Sequence, residues 1–386
     1  MPSQTVGQWF CLKDRDHFAI NPREDSKLYF GRKELAAELK KQIKKSFVFG
    51  KPPKMLLWGD WGVGKTHTMC HIQHFLETNQ ADYPSIVYFV EFGNVTRRSR
   101  YDIVHQKMLD VIGKERVYYL LQKFAAIHSG VPLPEVLKHH LDSNDMITAF
   151  VNLAISPIQS SQSATAWEWL LGLGLENQRL QNLGTSRSLN DSSDFVAIEK
   201  FIGRLFWVVE QKRLVFILDE ARKLESIADP DAEANWIDAW KDLADDMNVE
   251  VGFLVSGSFA RQEDIPAVLA DEQITNRLGE ASIVELPLFT RPNTEEFLSD
   301  LLEGLVDPDS SKERLHSLEK GGKKLEVRPF PFTPDAFQLF VDYVSRMTDE
   351  AVPRIIVQKL DNLAFEAMER GKYVIDVSLM NELGIT

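Results

Sequence analysis

Apolar positions recur along this chain in two alternating rhythms. Leu35, Leu39 and Ile43 return every four residues among lysines, which predicts an amphipathic helix over 31–45. Met55 to Trp58 is a short apolar run, followed by a glycine-rich turn and a helical pattern over 65–78. Ile86 to Glu91 reads as the next strand, and 102–155 as several helices. After a helix over 195–210, Leu214 to Leu218 is continuously apolar, as expected of a strand buried on both faces of a parallel sheet. Val251 to Val255 and Ile283 to Leu286 are further strands. Strands alternating with helices predict an α/β fold with a parallel sheet flanked by helices. Beyond Arg291 the rhythm is purely helical, over 293–305, 334–347, 353–370 and 376–383, with a Lys/Gly-rich loop at 319–324. This divides the chain into an N-terminal segment 1–29, an α/β base 30–290 and a small all-α domain 291–386. Residues 156–194 break both rhythms, being rich in Ser, Gly, Asn and Gln with one apolar island at 167–175. They predict a mobile part of a helical and flexible insertion over about 117–194, the island either docking on a neighbour or packing locally.

Composition narrows the class. The chain has 386 residues, 44% apolar and 26% charged, which suits two or three globular domains and excludes whole-chain disorder and collagen-like repeats. Lysine plus arginine is 44 against 57 acidic residues, a net charge of −13, so the surface as a whole does not bind nucleic acid. A local basic patch repeated around an oligomer still could. Two cysteines, Cys11 and Cys70, exclude a disulfide framework and suit a reducing compartment. No apolar run reaches the ~18–20 residues of a membrane span. The opening MPSQTVGQWF lacks the basic-then-apolar pattern of a signal peptide, so the expected location is the cytoplasm.

The chemistry concentrates in three places. Gly59, Asp60, Trp61, Gly62, Val63, Gly64, Lys65 and Thr66 match G-x-x-x-x-G-K-[ST] in full, between a predicted strand and a predicted helix. Glycines let the backbone curl so that N–H groups face a phosphate, and the following helix start, including His67, adds partial positive charge. Lys65 is suited to the β- and γ-phosphates and Thr66 to Mg²⁺. The buried strand at 214–218 ends in Asp219 and Glu220. Asp219 is the candidate Mg²⁺-associated carboxylate, and Glu220 the candidate to deprotonate an attacking water. Ser256, or alternatively Ser258, is the polar group at the end of the next strand.

Together these stretches resemble an AAA+ ATPase. They are most similar to the branch holding the archaeal and eukaryotic replication initiators (origin-recognition proteins), with related transposition-regulator and defence ATPases. Phe30-Gly31-Arg32-Lys33-Glu34-Leu35 resembles the segment that borders the adenine in that family. Asp219-Glu220 resembles its Walker B pair and Ser256 its sensor 1. Thr275-Asn276-Arg277-Leu278 resembles the segment with the arginine finger, and Ala351 to Ile356 the sensor 2 motif opening a lid helix. The resemblance covers about 30–116 and 195–380. It implies ATP and Mg²⁺ as ligands, Arg277 acting on a neighbouring subunit's nucleotide with Arg261 as its alternate, and Arg354 acting in cis from the lid. It also implies homo-oligomers, as a ring or filament. The family's winged-helix DNA-binding domain has no counterpart before Thr386, which favours a bare ring or filament.

Arg97, Arg98 and Arg100 follow the second predicted strand, where they are candidates for phosphate contacts on duplex DNA with Tyr101 in support. Lysines 40, 41, 44 and 45 read instead as a solvated helix face, and Trp236, Trp240 and Leu243 as core. His67, Cys70, His71 and His74 share one helix and lack the convergence a zinc site needs. The expected function is an ATP-driven switch that assembles on duplex DNA and recruits or regulates a partner enzyme such as a transposase, nuclease or helicase. The alternative is an ATP-dependent protein-interaction switch in signalling or phage defence, acting without DNA.

Overall fold

The computed structural model describes residues 4–245, 247–319, 329–346 and 351–385. The chain opens with a short helix α1 (Val6–Trp9), then α2 (Lys33–Val48), β1 (Lys54–Gly59), α3 (Lys65–Thr78) and β2 (Ser85–Glu91). Helices α4 (Asp102–Ile112), α5 (Lys114–Ile127), α6 (Leu133–Leu137) and α7 (Asn144–Ile155) follow. Next come α8 (Ser161–Leu170), α9 (Asn177–Leu183) and α10 (Ser192–Glu210). The strands resume with β3 (Arg213–Asp219), α11 (Pro230–Ala244) and β4 (Val251–Ser258), then α12 (Ala267–Ala270), α13 (Glu272–Leu278) and β5 (Ile283–Glu285). Last are α14 (Arg291–Leu305), α15 (Pro308–Glu319), α16 (Pro334–Ser345), α17 (Pro353–Glu369) and α18 (Val377–Glu382). They pack as two compact units, one of Lys40–Trp58 and Gln73–Glu285, the other of Met1–Leu39, Gly59–Ile72 and Leu286–Thr386.

The first unit holds a five-stranded sheet among the described residues, in the order β2-β3-β4-β1-β5. β2 pairs β3, β3 pairs β4 and β1 pairs β5 in parallel. Every side chain from Leu214 to Leu218 is at 0% exposure, so the run is apolar because both faces of β3 are covered. Trp236 and Trp240 on α11 lie in this core, as their helical spacing predicts. One polar network is sealed inside it. Glu199 on α10 accepts from the Tyr101 hydroxyl at 2.8 Å and faces His105 Nδ1 at 2.8 Å. His105 Nε2 meets the Leu170 carbonyl at 2.8 Å, so that nitrogen carries a proton.

Residues 156–194 correct the expectation of a mobile loop. They form α8, α9 and the start of α10, and Trp169, Leu170, Leu180, Leu183 and Leu189 are buried. The Ser and Gly that disguised them are caps. Ser160 Oγ accepts from the Ser163 N–H at 3.1 Å to start α8, and Gly184 ends α9 in the left-handed region at φ 82°. The Trp169 indole donates to the Arg187 carbonyl at 2.8 Å, so the apolar island packs locally.

The second unit is helical around a core of Phe10, Phe18, Phe297, Phe332, Phe340 and Ile356 with their neighbours. The N-terminal segment, which has no clear periodicity, is built into that core. Phe10 and Phe18 are fully buried, the Phe18 N–H donates to Asp361 Oδ1 at 2.6 Å, and the Trp9 ring stacks on Tyr373 at 4.1 Å. Helix α15 escaped the sequence reading because its pattern, PDSSKERLHSLE, is almost wholly polar. Beyond Glu319, the expected loop at 319–324 lies outside the described residues.

Candidate nucleotide site

The phosphate loop belongs to the helical unit. β1 runs into it through Gly59, and Lys65 opens α3 at its far end. Its glycines hold positive φ, 152° at Gly59, 82° at Gly62 and 97° at Gly64. A Cβ on Gly59 would come within 2.4 Å of the Leu286 carbonyl oxygen, whereas one on Gly64 would meet nothing within 4 Å. Gly59 is thus required by close approach, and Gly64 leaves the inside of the curl open to a ligand. Val63 is buried and anchors the loop. Lys65 is buried too, and its Nζ donates to the Gly59 and Asp60 carbonyls at 3.0 and 2.6 Å. The Asp60 carboxylate accepts from the Trp61 N–H at 2.6 Å. A curled backbone, a cation and a helix N-terminus together form a donor set for phosphate oxygens. Thr66, half-buried in the first turn of α3, supplies a hydroxyl of the kind that holds Mg²⁺.

The surrounding side chains sort differently. His67 packs away from the loop, with Nε2 at 3.3 Å from the Asp25 carbonyl, and burial lowers its pKa. Any ligand contact from His67 is left to its backbone. Tyr29 hydrogen-bonds Thr68 at 2.9 Å. Phe30 meets Phe297 edge-on at 6.4 Å between centroids. Arg32 lies over the Phe289 ring at 4.7 Å and donates to the Pro287 carbonyl at 2.7 Å. Arg354, in the first turn of α17, has its guanidinium 4.5 Å from the Trp61 ring centroid. Sequence reasoning missed that contact, since nothing in either motif signals the other.

The carboxylates belong to the sheet unit. Leu218 pairs with Val255, so Asp219 and Ser256 fall level as β3 and β4 continue. Ser256 Oγ donates to Asp219 Oδ1, and both are buried. Of the two serines, it is therefore Ser256 that meets Asp219. Glu220 is exposed, its backbone in the left-handed region at φ 68°. Glu91, read from the sequence only as the end of a strand, pairs with Asp219 in the register. Arg277 donates to the Lys241 carbonyl at 2.5 Å and lies 3.5 Å from Asp245. It thereby satisfies the last turn of α11, where a cation is favoured. The Met247 N–H, and after it Arg277, lowers the Asp245 pKa. Arg261 is more exposed and pairs only with Glu263, at 3.6 Å, among the described residues. Arg97, Arg98 and Arg100 are all exposed, Arg98 lying 3.7 Å from Asp229. Tyr101 cannot support them at a surface, because its side chain is fully buried against Glu199.

The parallel sheet, the loop between β1 and α3 and the helical C-terminal region make a P-loop fold of the AAA+ type. The chain is similar in structure to Aeropyrum pernix ORC2, solved as ADPNP–ADP complexes, at 13% identity and a TM-score of 0.52, covering 96% of this chain and 71% of that one. Aeropyrum pernix ORC1, solved in complex with DNA, matches at 13% identity and a TM-score of 0.45, covering 92% of this chain and 65% of that one. The Thermotoga maritima RuvB Holliday junction branch migration motor matches at 13% identity and a TM-score of 0.40, over 92% of this chain and 71% of that one. This chain thus spans less than two thirds of the ORC1 protein's length. No family model and no curated protein sequence matches it. Among the described residues no helix is long and apolar enough to cross a membrane.

Proposed function

We propose that this protein binds and hydrolyses ATP with Mg²⁺ and works as an oligomeric switch on duplex DNA. The observation that carries this reading is the complete phosphate loop, with Lys65 turned onto its carbonyls at the start of α3. The loop amides and Lys65 take the phosphates. Thr66 and Asp219 would hold Mg²⁺, with Ser256 fixing the Asp219 carboxylate. Bound there, the ion would supply positive charge to the phosphate oxygens. Glu220 deprotonates the attacking water. Arg277 serves as the finger on a neighbouring copy's nucleotide, with Arg261 its alternate, and Arg354 acts in cis.

The DNA contact is assigned to Arg97, Arg98 and Arg100, whose exposure on one loop supports it. Three arginines per subunit, repeated around an oligomer, form a basic track on an acidic protein. On that track the protein recruits or regulates a partner enzyme, such as a transposase, nuclease or helicase. Neither of the two buried cysteines, Cys11 and Cys70, is in a disulfide, which fits a cytoplasmic setting. The test is steady-state ATP hydrolysis against protein concentration, with and without duplex DNA, using Glu220→Gln as the blank. Turnover per chain should rise with concentration and again with DNA. Arg277→Ala or Arg261→Ala should abolish the concentration dependence, and alanine at 97, 98 and 100 the DNA dependence. DNA affinity unchanged in the triple variant would reject that contact surface, and turnover indifferent to DNA would favour a protein-interaction switch.

A further inference from the structure

Gly59 to Thr66 carries a single aromatic side chain, Trp61, where the loop's chemistry asks only for backbone curl. The residue is 53% exposed, yet its ring is covered on one side by the Arg354 guanidinium at 4.5 Å, inside the cation–π range. The contact continues beneath the ring. A Cβ on Gly62 would stand 3.0 Å from Val352 Cγ2 and 3.8 Å from Arg354 Cβ, so the loop backbone touches the first turn of α17. That turn is fixed at its base. Ala351 and Val352 are buried, the Ala351 carbonyl accepts from the Phe289 N–H at 3.0 Å, and Pro353 opens the helix. Among the described residues no carboxylate pairs with Arg354, and the indole is its partner. A long, flexible cation is thus held at both ends, by a rigid helix start and by a ring of the phosphate loop.

We infer that Trp61 is a positioning residue, its indole holding the Arg354 guanidinium at the phosphate loop so that this arginine distinguishes a nucleoside triphosphate from a diphosphate. The inference rests on the nucleotide reading above. A freely rotating arginine loses side-chain entropy each time it engages a phosphate, and the stack removes part of that cost beforehand.

The experiment compares the full chain with Trp61→Ala, Trp61→Phe, Arg354→Ala and the Trp61→Ala/Arg354→Ala double variant. Two readouts are taken: tryptophan emission without nucleotide, and dissociation constants for fluorescent ATP and ADP analogues. The emission difference between the full chain and Trp61→Phe isolates Trp61 from the other tryptophans. Measured again in an Arg354→Ala background, that difference should change. Trp61→Ala should weaken the ATP analogue roughly threefold to tenfold and leave the ADP analogue nearly unaffected, the size expected of a half-exposed cation–ring contact. Trp61→Phe should recover most of the loss. In the Arg354→Ala background, Trp61→Ala should cost nothing more. An equal cost in both backgrounds, an equal loss of both analogues, or an emission difference blind to Arg354 would overturn the inference while sparing the nucleotide reading. Failure of the unsubstituted chain to bind either analogue would overturn both.

Discussion

Glu220 holds its backbone at φ 68° and ψ 31°, a region that costs a non-glycine residue about 1 kcal/mol. The strain falls on the residue assigned to activate water, next to a buried aspartate. Replacing Glu220 with glycine relieves the strain and removes the carboxylate. Urea unfolding should therefore show a gain of about 0.5–1 kcal/mol, while ATP turnover falls by roughly 100-fold or more. A loss of stability would contradict the strain argument. His67 makes a pH-dependent contribution. Burial first, opposed by the Asp25 carbonyl, sets its folded pKa below the ordinary histidine value. Its contribution to stability is full above the unfolded value of about 6.5 and is lost as pH falls through the folded value. His67→Gln should flatten the stability loss below that pH, and an unaltered acid limb would reject the assignment. At this scale the glycines, Lys65 and the Asp219–Glu220 pair stand out in the sequence as candidates, because the chemistry proposed for them depends on local spacing. It could not reveal the Trp61–Arg354 stack or the engagement of Arg277 with Lys241, which depend on tertiary packing.

Among the elements, those with apolar periodicity were legible. The four longer strands begin or end within a few residues of their apolar runs, because burial on two faces demands such runs. The region 156–194 misled because its helices are short and their caps, Ser160 and Gly184, are the residues that also make loops. The buried Tyr101–Glu199–His105 network joins α4 to α10, and His105 joins it to the end of α8. Removing its acceptor leaves two buried polar groups unpaired. Glu199→Ala should cost about 3–5 kcal/mol and Tyr101→Phe about 1 kcal/mol in urea unfolding. Trp169→Ala should cost about 3–5 kcal/mol by opening a cavity, with the loss of its bond to Arg187 added. If α8 were a mobile segment, that last value would be near zero.

For the whole molecule, the proposed function sets an acidic chain of net charge −13 against duplex DNA through one exposed loop, Arg97 to Arg100. In the proposed reaction the chemistry falls to Lys65, Thr66, Asp219 and Glu220. The most direct test of that claim measures ATP binding and steady-state ATP hydrolysis by the unsubstituted chain, Lys65→Ala and Glu220→Gln, side by side. Binding and turnover are expected in the first, neither in the second, and binding without turnover in the third. Turnover that survives Glu220→Gln, or ATP affinity that survives Lys65→Ala, would contradict it.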